Sequence, residues 1–171
     1  MIIAAINAGI TSFTLKLNFS RIPTFWLRVA AIVVSDTKER LSPMIVSVSE
    51  GALCYMGEFT TYLFEAGKKI YPHIFLHLDH GKSFEVCKMA VDKGFDSVMI
   101  DGSALSFDEN VAVTRRVCQY AHSKNVLVEG ELGQIKGIED SVSNNFQHYT
   151  DPLKAKEFVD KTNVDTLAIA I

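Results

Sequence analysis

From Met44 onward the chain alternates between two residue periods, and this alternation constrains its fold more than any other feature. Short β-rich runs stand at Met44-Ile45-Val46-Ser47-Val48, Ile74-Phe75-Leu76-His77-Leu78, Ser97-Val98-Met99-Ile100, Val126-Leu127-Val128 and Thr166-Leu167-Ala168-Ile169-Ala170-Ile171. Between them, apolar residues recur at helical spacing. Phe84, Cys87, Ala90 and Val91 form one stripe, closed by Gly94. Val111, Thr114, Val117, Cys118 and Ala121 form a second, and Ala155, Phe158, Val159 and Thr162 a third. The second opens with a capping box, Ser106 to Glu109, whose side chains can satisfy backbone N–H groups left over at a helix start. The third opens with Asp151-Pro152, a cap residue followed by a proline where the helix needs no donor. Strand and helix repeating at roughly 25 to 30 residues read as successive βα units on a parallel sheet. Near-continuous apolar runs such as Ser97-Val98-Met99-Ile100 suit strands covered on both faces. The period by itself allows either an open doubly wound sheet or a (β/α)8 barrel.

The acids favour the barrel. One strand ends in Asp79-His80-Gly81, the next in Asp101-Gly102-Ser103, and the next in Glu129-Gly130-Glu131. The C-terminal ends of parallel strands are where α/β folds bind ligands and where barrels place their chemistry. A single Asp after a strand is usually a cap or turn residue, but three successive strands with an adjacent His point to a functional site. His, Asp and Glu together suit a divalent metal. They suit proton transfer equally well, and the pattern leaves both roles open. His77 shares the side-chain direction of Asp79 and reads as a packed interior residue rather than a ligand. His73, His122 and His148 read as surface or loop residues. Lys82 follows the Asp79-His80-Gly81 turn, but no lysine stands at a strand end, where a Schiff base would be expected.

Composition narrows the classes further. With 171 residues, 48% hydrophobic and 22% charged, the chain is long enough to bury one sizeable core. A net charge of -3, spread along the chain, provides no basic footprint for nucleic acid. Cys54, Cys87 and Cys118 lie far apart and read as buried, reduced thiols, which suits a reducing compartment. Residues 1–10 lack a basic leader, and residues 25–34 are interrupted by Arg28, so neither run approaches the roughly 18 to 20 apolar residues of a spanning helix. No membrane association is expected, and the cytoplasm is the expected location. Two stretches break the rhythm: residues 1–35 hold no clean βα unit, and residues 132–149 form a long polar connection of the kind that is more often functional than idle.

Ser49-Glu50-Gly51-Ala52, Leu76-His77-Leu78-Asp79-His80-Gly81, Ser97-Val98-Met99-Ile100-Asp101-Gly102-Ser103, Glu129-Gly130-Glu131-Leu132-Gly133 and Tyr149-Thr150-Asp151-Pro152 follow one another in the order seen in class II aldolases. Over residues 42–171 the chain resembles the N-terminal part of that zinc-dependent fructose-bisphosphate (ketose-bisphosphate) family, with residues 1–41 a divergent segment. The resemblance implies an α/β fold, a partial (β/α)8 TIM barrel of about five or six βα units. It also implies reversible retro-aldol cleavage of fructose or tagatose 1,6-bisphosphate to dihydroxyacetone phosphate and glyceraldehyde 3-phosphate, a step of glycolysis. The cofactor implied is Zn2+, the partner a small phosphorylated sugar, and the full-length protein a homo-oligomer.

Residue by residue, the resemblance makes Asp79 the catalytic acid/base and His80 a zinc ligand. Asp101 and Glu131 match carboxylates of a second or alternative metal position. Ser49 matches a substrate-contacting serine, and Glu139 a mobile-loop glutamate that moves the proton on the dihydroxyacetone phosphate side. The family's zinc site needs two further histidines, one in a Gly-Thr-Ala-His-Gly-like segment expected just after Ile171, and its opening Ala-Phe-Asn-like strand has no counterpart before Ala30. The chain as it stands is therefore expected to be poorly stable and inactive alone, since unpaired sheet edges invite association. Two other readings compete: a non-catalytic remnant or interaction partner with a half-barrel fold, and a Schiff-base barrel lyase.

Overall fold

The computed structural model describes residues 2–7, 10–16, 43–70, 72–133 and 150–170. Among the described residues, seven strands form one sheet, in chain order: β1 (Ile2–Asn7), β2 (Ile10–Lys16), β3 (Met44–Ser49), β4 (Ile74–Gly81), β5 (Ser97–Ile100), β6 (Leu127–Leu132) and β7 (Thr166–Ile169). β1 and β2 pair antiparallel, and every later pair is parallel. Helices α1 (Glu50–Met56) and α2 (Phe59–Ile70) connect β3 to β4. α3 (Phe84–Asp92), α4 (Phe107–His122) and α5 (Pro152–Thr162) follow β4, β5 and β6 in turn. A doubly wound sheet reverses its strand order part-way through. Here the order never reverses, so the parallel strands wind in the manner of a barrel and form an open part of one.

Local chemistry sets the helix ends. The Ser106 hydroxyl accepts from the Glu109 N–H while the Glu109 carboxylate accepts from the Ser106 N–H, closing the capping box. Asp151 caps α5 by accepting from the Leu153 N–H at 2.8 Å, ahead of Pro152. Gly94, at φ 83°, takes a conformation that a side chain would strain.

Alternate residues of each strand divide between two faces. Val46, Val48, Leu76, Leu78, Val98, Ile100 and Val128 join the core formed with Cys87, Ala90, Val91, Val117, Cys118, Ala121 and Phe158 of the helices. The other face carries the polar Ser47, His77, Ser97 and Glu129 among apolar residues such as Phe75 and Met99. The second stripe is buried throughout. In the third, Phe158 and Thr162 are buried but Val159 is 38% exposed. Cys54 is exposed rather than buried, unlike Cys87 and Cys118. It lies on α1, where only Ala52 and Leu53 turn inward. Near the start, β1 and β2 pair antiparallel, and β2 runs parallel to β3. Residues 17–42 lie outside the described residues, as does most of the polar connection, 134–149. No helix among the described residues is long and apolar enough to cross a membrane.

Candidate metal and acid–base site

Parallel pairing in register brings the strand ends to one edge. Ser49 is the register partner of Asp79 across β3 and β4, and Ile100 is that of Gly130 across β5 and β6. Between Leu78 and Gly81 the β4–β5 ladder slips, and His80 sits at φ 52°. A bulge of this kind breaks the alternation of the strand, so that neighbouring side chains can serve one side. The consequence is that Asp79 and His80, adjacent in sequence, both reach the site: His80 Nε2 lies 3.9 Å from Asp79 Oδ1. The turn admits no side chain at position 81. A Cβ there would stand 2.9 Å from Cys87 Sγ, Leu78 Cδ2 and the Met99 carbonyl oxygen.

His80 is the hub. Its Nδ1 lies 3.2 Å from Asp101 Oδ2 and 3.4 Å from Glu131 Oε2. One ring nitrogen cannot serve both carboxylates, and the hydrogen bond goes to Asp101. Glu131 Oε2 is left buried without a hydrogen-bond partner on a side chain only 4% exposed. A buried carboxylate oxygen in that state is costly unless a cation meets it. Ligand atoms of His80, Asp101 and Glu131 all lie within 4.8 Å of one another. One imidazole nitrogen and two carboxylates form a donor set that a divalent cation accepts, so the residues present fit a metal.

The supports of Asp101 are equally specific. Its Oδ1 accepts from the Ser103 N–H at 3.1 Å and the Ser103 hydroxyl at 2.6 Å, and its Oδ2 meets Lys82 Nζ at 3.1 Å. Burial opposes ionisation of Asp101, but the hydrogen bonds from His80, Ser103 and Lys82 outweigh it and hold the carboxyl well below the ordinary range. Behind Glu131, the buried Asn110 of α4 donates Nδ2 to the Glu131 carbonyl at 2.8 Å and accepts from the Thr114 hydroxyl at 3.0 Å. Gly102 makes room for that amide: a Cβ there would fall 2.2 Å from Asn110 Oδ1.

Residues 22–171 match the family model described as "Fructose-bisphosphate aldolase class-II". The chain belongs to the class II fructose-bisphosphate aldolase family. It is 47% identical over 148 residues to a fructose-bisphosphate aldolase of Treponema pallidum, a match covering 81% of this chain and 45% of that protein. A Staphylococcus aureus fructose-bisphosphate aldolase is 44% identical over 150 residues, covering 85% and 52%. Among solved structures, the YdjI aldolase of Escherichia coli K12 superposes with a TM-score of 0.71 at 29% identity, covering 94% of this chain and 53% of that one. A putative fructose-1,6-biphosphate aldolase from Coccidioides immitis gives 0.73 at 30% identity, covering 84% and 52%. The chain thus spans about half the length of the aldolases it matches.

Of the residues that the sequence singles out, His80, Asp101 and Glu131 come together, and Asp79 stands beside them. Ser49 lies at the same edge, where its hydroxyl accepts from the Ala52 N–H at 3.3 Å and caps α1. Glu139 lies outside the described residues. His77 is interior, as its spacing suggests: its Nδ1 is 2.8 Å from Ser97 Oγ and its Nε2 is 3.7 Å from Glu129 Oε2. Asn110 is not among the residues that the sequence singles out, and Ser103 and Glu50 figure there only as motif members without a role; the Glu50 carboxylate accepts the Lys82 N–H at 2.8 Å. Asn110 left a trace in the sequence, since an amide four residues before Thr114 borders the apolar stripe that includes Thr114.

Proposed function

We propose that this chain carries the acid–base and metal-holding edge of a class II aldolase acting in reversible retro-aldol cleavage of fructose 1,6-bisphosphate. The products are dihydroxyacetone phosphate and glyceraldehyde 3-phosphate. The observation that carries this reading is the convergence of Asp101 and Glu131 on His80, with Asp79 adjacent, at the C-terminal edge of parallel strands. The names of the relatives favour the fructose over the tagatose bisphosphate.

In the cleavage direction, Asp79 accepts the proton of the hydroxyl at the bond to be broken. That oxygen becomes the aldehyde of the departing fragment, and the electron pair of the carbon–carbon bond stays with the ketone fragment as an enediolate. When bound, a divalent cation, which we take to be Zn2+, would supply Lewis acidity to stabilise this charge without a covalent imine. His80, Asp101 and Glu131 are the residues that would hold it. Ser49 is proposed to contact substrate, and Glu139 to return a proton to the enediolate carbon while its loop excludes water. Synthesis runs these steps in reverse.

The test is cleavage of fructose 1,6-bisphosphate followed through dihydroxyacetone phosphate release. We expect this chain alone to be inactive, and a full-length protein carrying these residues to lose activity on chelation and regain it with Zn2+. Asp79→Asn should lower turnover by about 10²- to 10⁴-fold while leaving metal affinity unchanged. Turnover that survives chelation, with borohydride trapping substrate on a lysine, would replace this reading with the Schiff-base one. Metal-independent binding to another chain without any turnover would replace it with a non-catalytic role.

A further inference from the structure

Lys82 stands where a cation would have to approach Asp101. Of the two carboxylate oxygens of Asp101, Oδ1 is engaged by the N–H and hydroxyl of Ser103. Only Oδ2 faces His80, at 3.2 Å, and the Lys82 ammonium lies 3.1 Å from that same oxygen. The two partners differ in freedom: the Asp101 side chain is 9% exposed and that of Lys82 is 68% exposed. The Lys82 backbone is fixed, because its N–H donates to Glu50 Oε2 at 2.8 Å. Its four-carbon stem remains able to swing, and an ion pair with one partner in solvent holds only weakly.

We propose that Lys82 is a built-in competitor for the cation, occupying Asp101 Oδ2 in the metal-free chain and leaving when the ion binds. The inference rests on the metal reading above and deepens it. A monovalent ammonium neutralises part of the charge of Asp101 and Glu131 while the site awaits its ion, and so keeps Oδ2 aimed inward. Once a divalent cation arrives, the two positive charges repel, and the exposed ammonium is the one able to move into water. Lys82 therefore weakens intrinsic metal affinity in exchange for a preformed carboxylate.

Calorimetric titration of the chelator-stripped full chain with Zn2+ alone tests this, with the visible spectrum of bound Co2+ as a second readout. Lys82→Met and Lys82→Gln should bind Zn2+ about 3- to 10-fold more tightly than the parent, while Lys82→Arg, which keeps the charge, should stay within about 2-fold. Affinity in Lys82→Met and Lys82→Gln equal to or weaker than the parent's overturns the competitor role and leaves the metal site standing. Parent and variants that all fail to bind Zn2+ and Co2+ overturn the site itself, and the proposal with it. An Asp101→Asn chain with parental affinity overturns the proposal as well, since Oδ2 would then not be what the ion and Lys82 contest.

Discussion

The two ends of the parallel sheet use the same residue type for opposite purposes. At the start of β5 and of β7, Asp96 and Asp165 turn their carboxylates back onto the neighbouring strand. Asp96 accepts the Leu76 N–H at 2.8 Å and Asp165 accepts the Val128 N–H at 2.7 Å. Each also exchanges backbone bonds with the same residue, Asp96 N–H to the Leu76 carbonyl and Asp165 N–H to the Val128 carbonyl. These acids tie strand entries together across β4–β5 and β6–β7. At the opposite end, Asp79, Asp101 and Glu131 gather around His80, with Asp101 also accepting from the Ser103 N–H. The carboxylates that finish a backbone ladder are structural, whereas those whose oxygens point at one another across strands need a cation or a proton to coexist.

The sharpest way to break this comparison is at Glu131. Glu131→Gln keeps the shape and removes the charge, so it should cost at least about 100-fold in Zn2+ affinity, beyond the range seen for outer supports. Metal-free stability should hold or rise, because the buried charge without a hydrogen-bond partner has gone. Urea melts with and without Zn2+ measure both, and a large loss of metal-free stability would make Glu131 a structural acid like those at the other end.

Asn110 comes next, because it belongs to a helix yet serves the site edge. Asn110→Ala should cost about 1–3 kcal/mol by leaving the buried Glu131 carbonyl without its donor. It should also weaken Zn2+ binding about 10-fold, since the amide steadies the ligand from behind. Loss of stability with unchanged affinity would confine its role to packing. Asp96→Ala is the mirror experiment: about 1–2 kcal/mol lower stability, from the orphaned Leu76 N–H, with Zn2+ affinity unmoved.

The sequence discloses the two ends unequally. Asp79, Asp101 and Glu131 are legible because each closes an apolar run within a short glycine-containing segment, Asp79-His80-Gly81, Asp101-Gly102 and Glu129-Gly130-Glu131, so local spacing alone places them at strand ends. Asp96 and Asp165 leave no such mark: their partners lie 20 and 37 residues away, and only the assembled register brings Leu76 and Val128 within reach. The βα alternation and the capping box at Ser106 are also local signals, and both appear in the fold. The bulge at His80 is not, since φ 52° at a non-glycine residue arises from the ladder slip rather than from any turn dipeptide. Exposure of Val159 and Cys54 likewise depends on which neighbours flank α5 and α1, a fact of packing and not of period.

The smallest expected effect is on pH dependence at the bracing end. Asp165 is opposed by burial, yet hydrogen bonds from the Val128 N–H and from His122, whose Nε2 is 2.9 Å away, lower its pKa overall. A carboxyl held below its unfolded value of about 3.9 contributes stability that is fully present above that value. The contribution is lost as pH falls through the lower folded value, because the unfolded chain then binds the proton first. With a third of the side chain exposed, solvent screening keeps the effect below about 1 kcal/mol. Urea midpoints followed from pH 5 downward should therefore fall less steeply in Asp165→Asn than in the parent, with no change in Zn2+ affinity at neutral pH. Identical acid slopes would show that Asp165 braces β6 and β7 by geometry alone, with its charge making no difference.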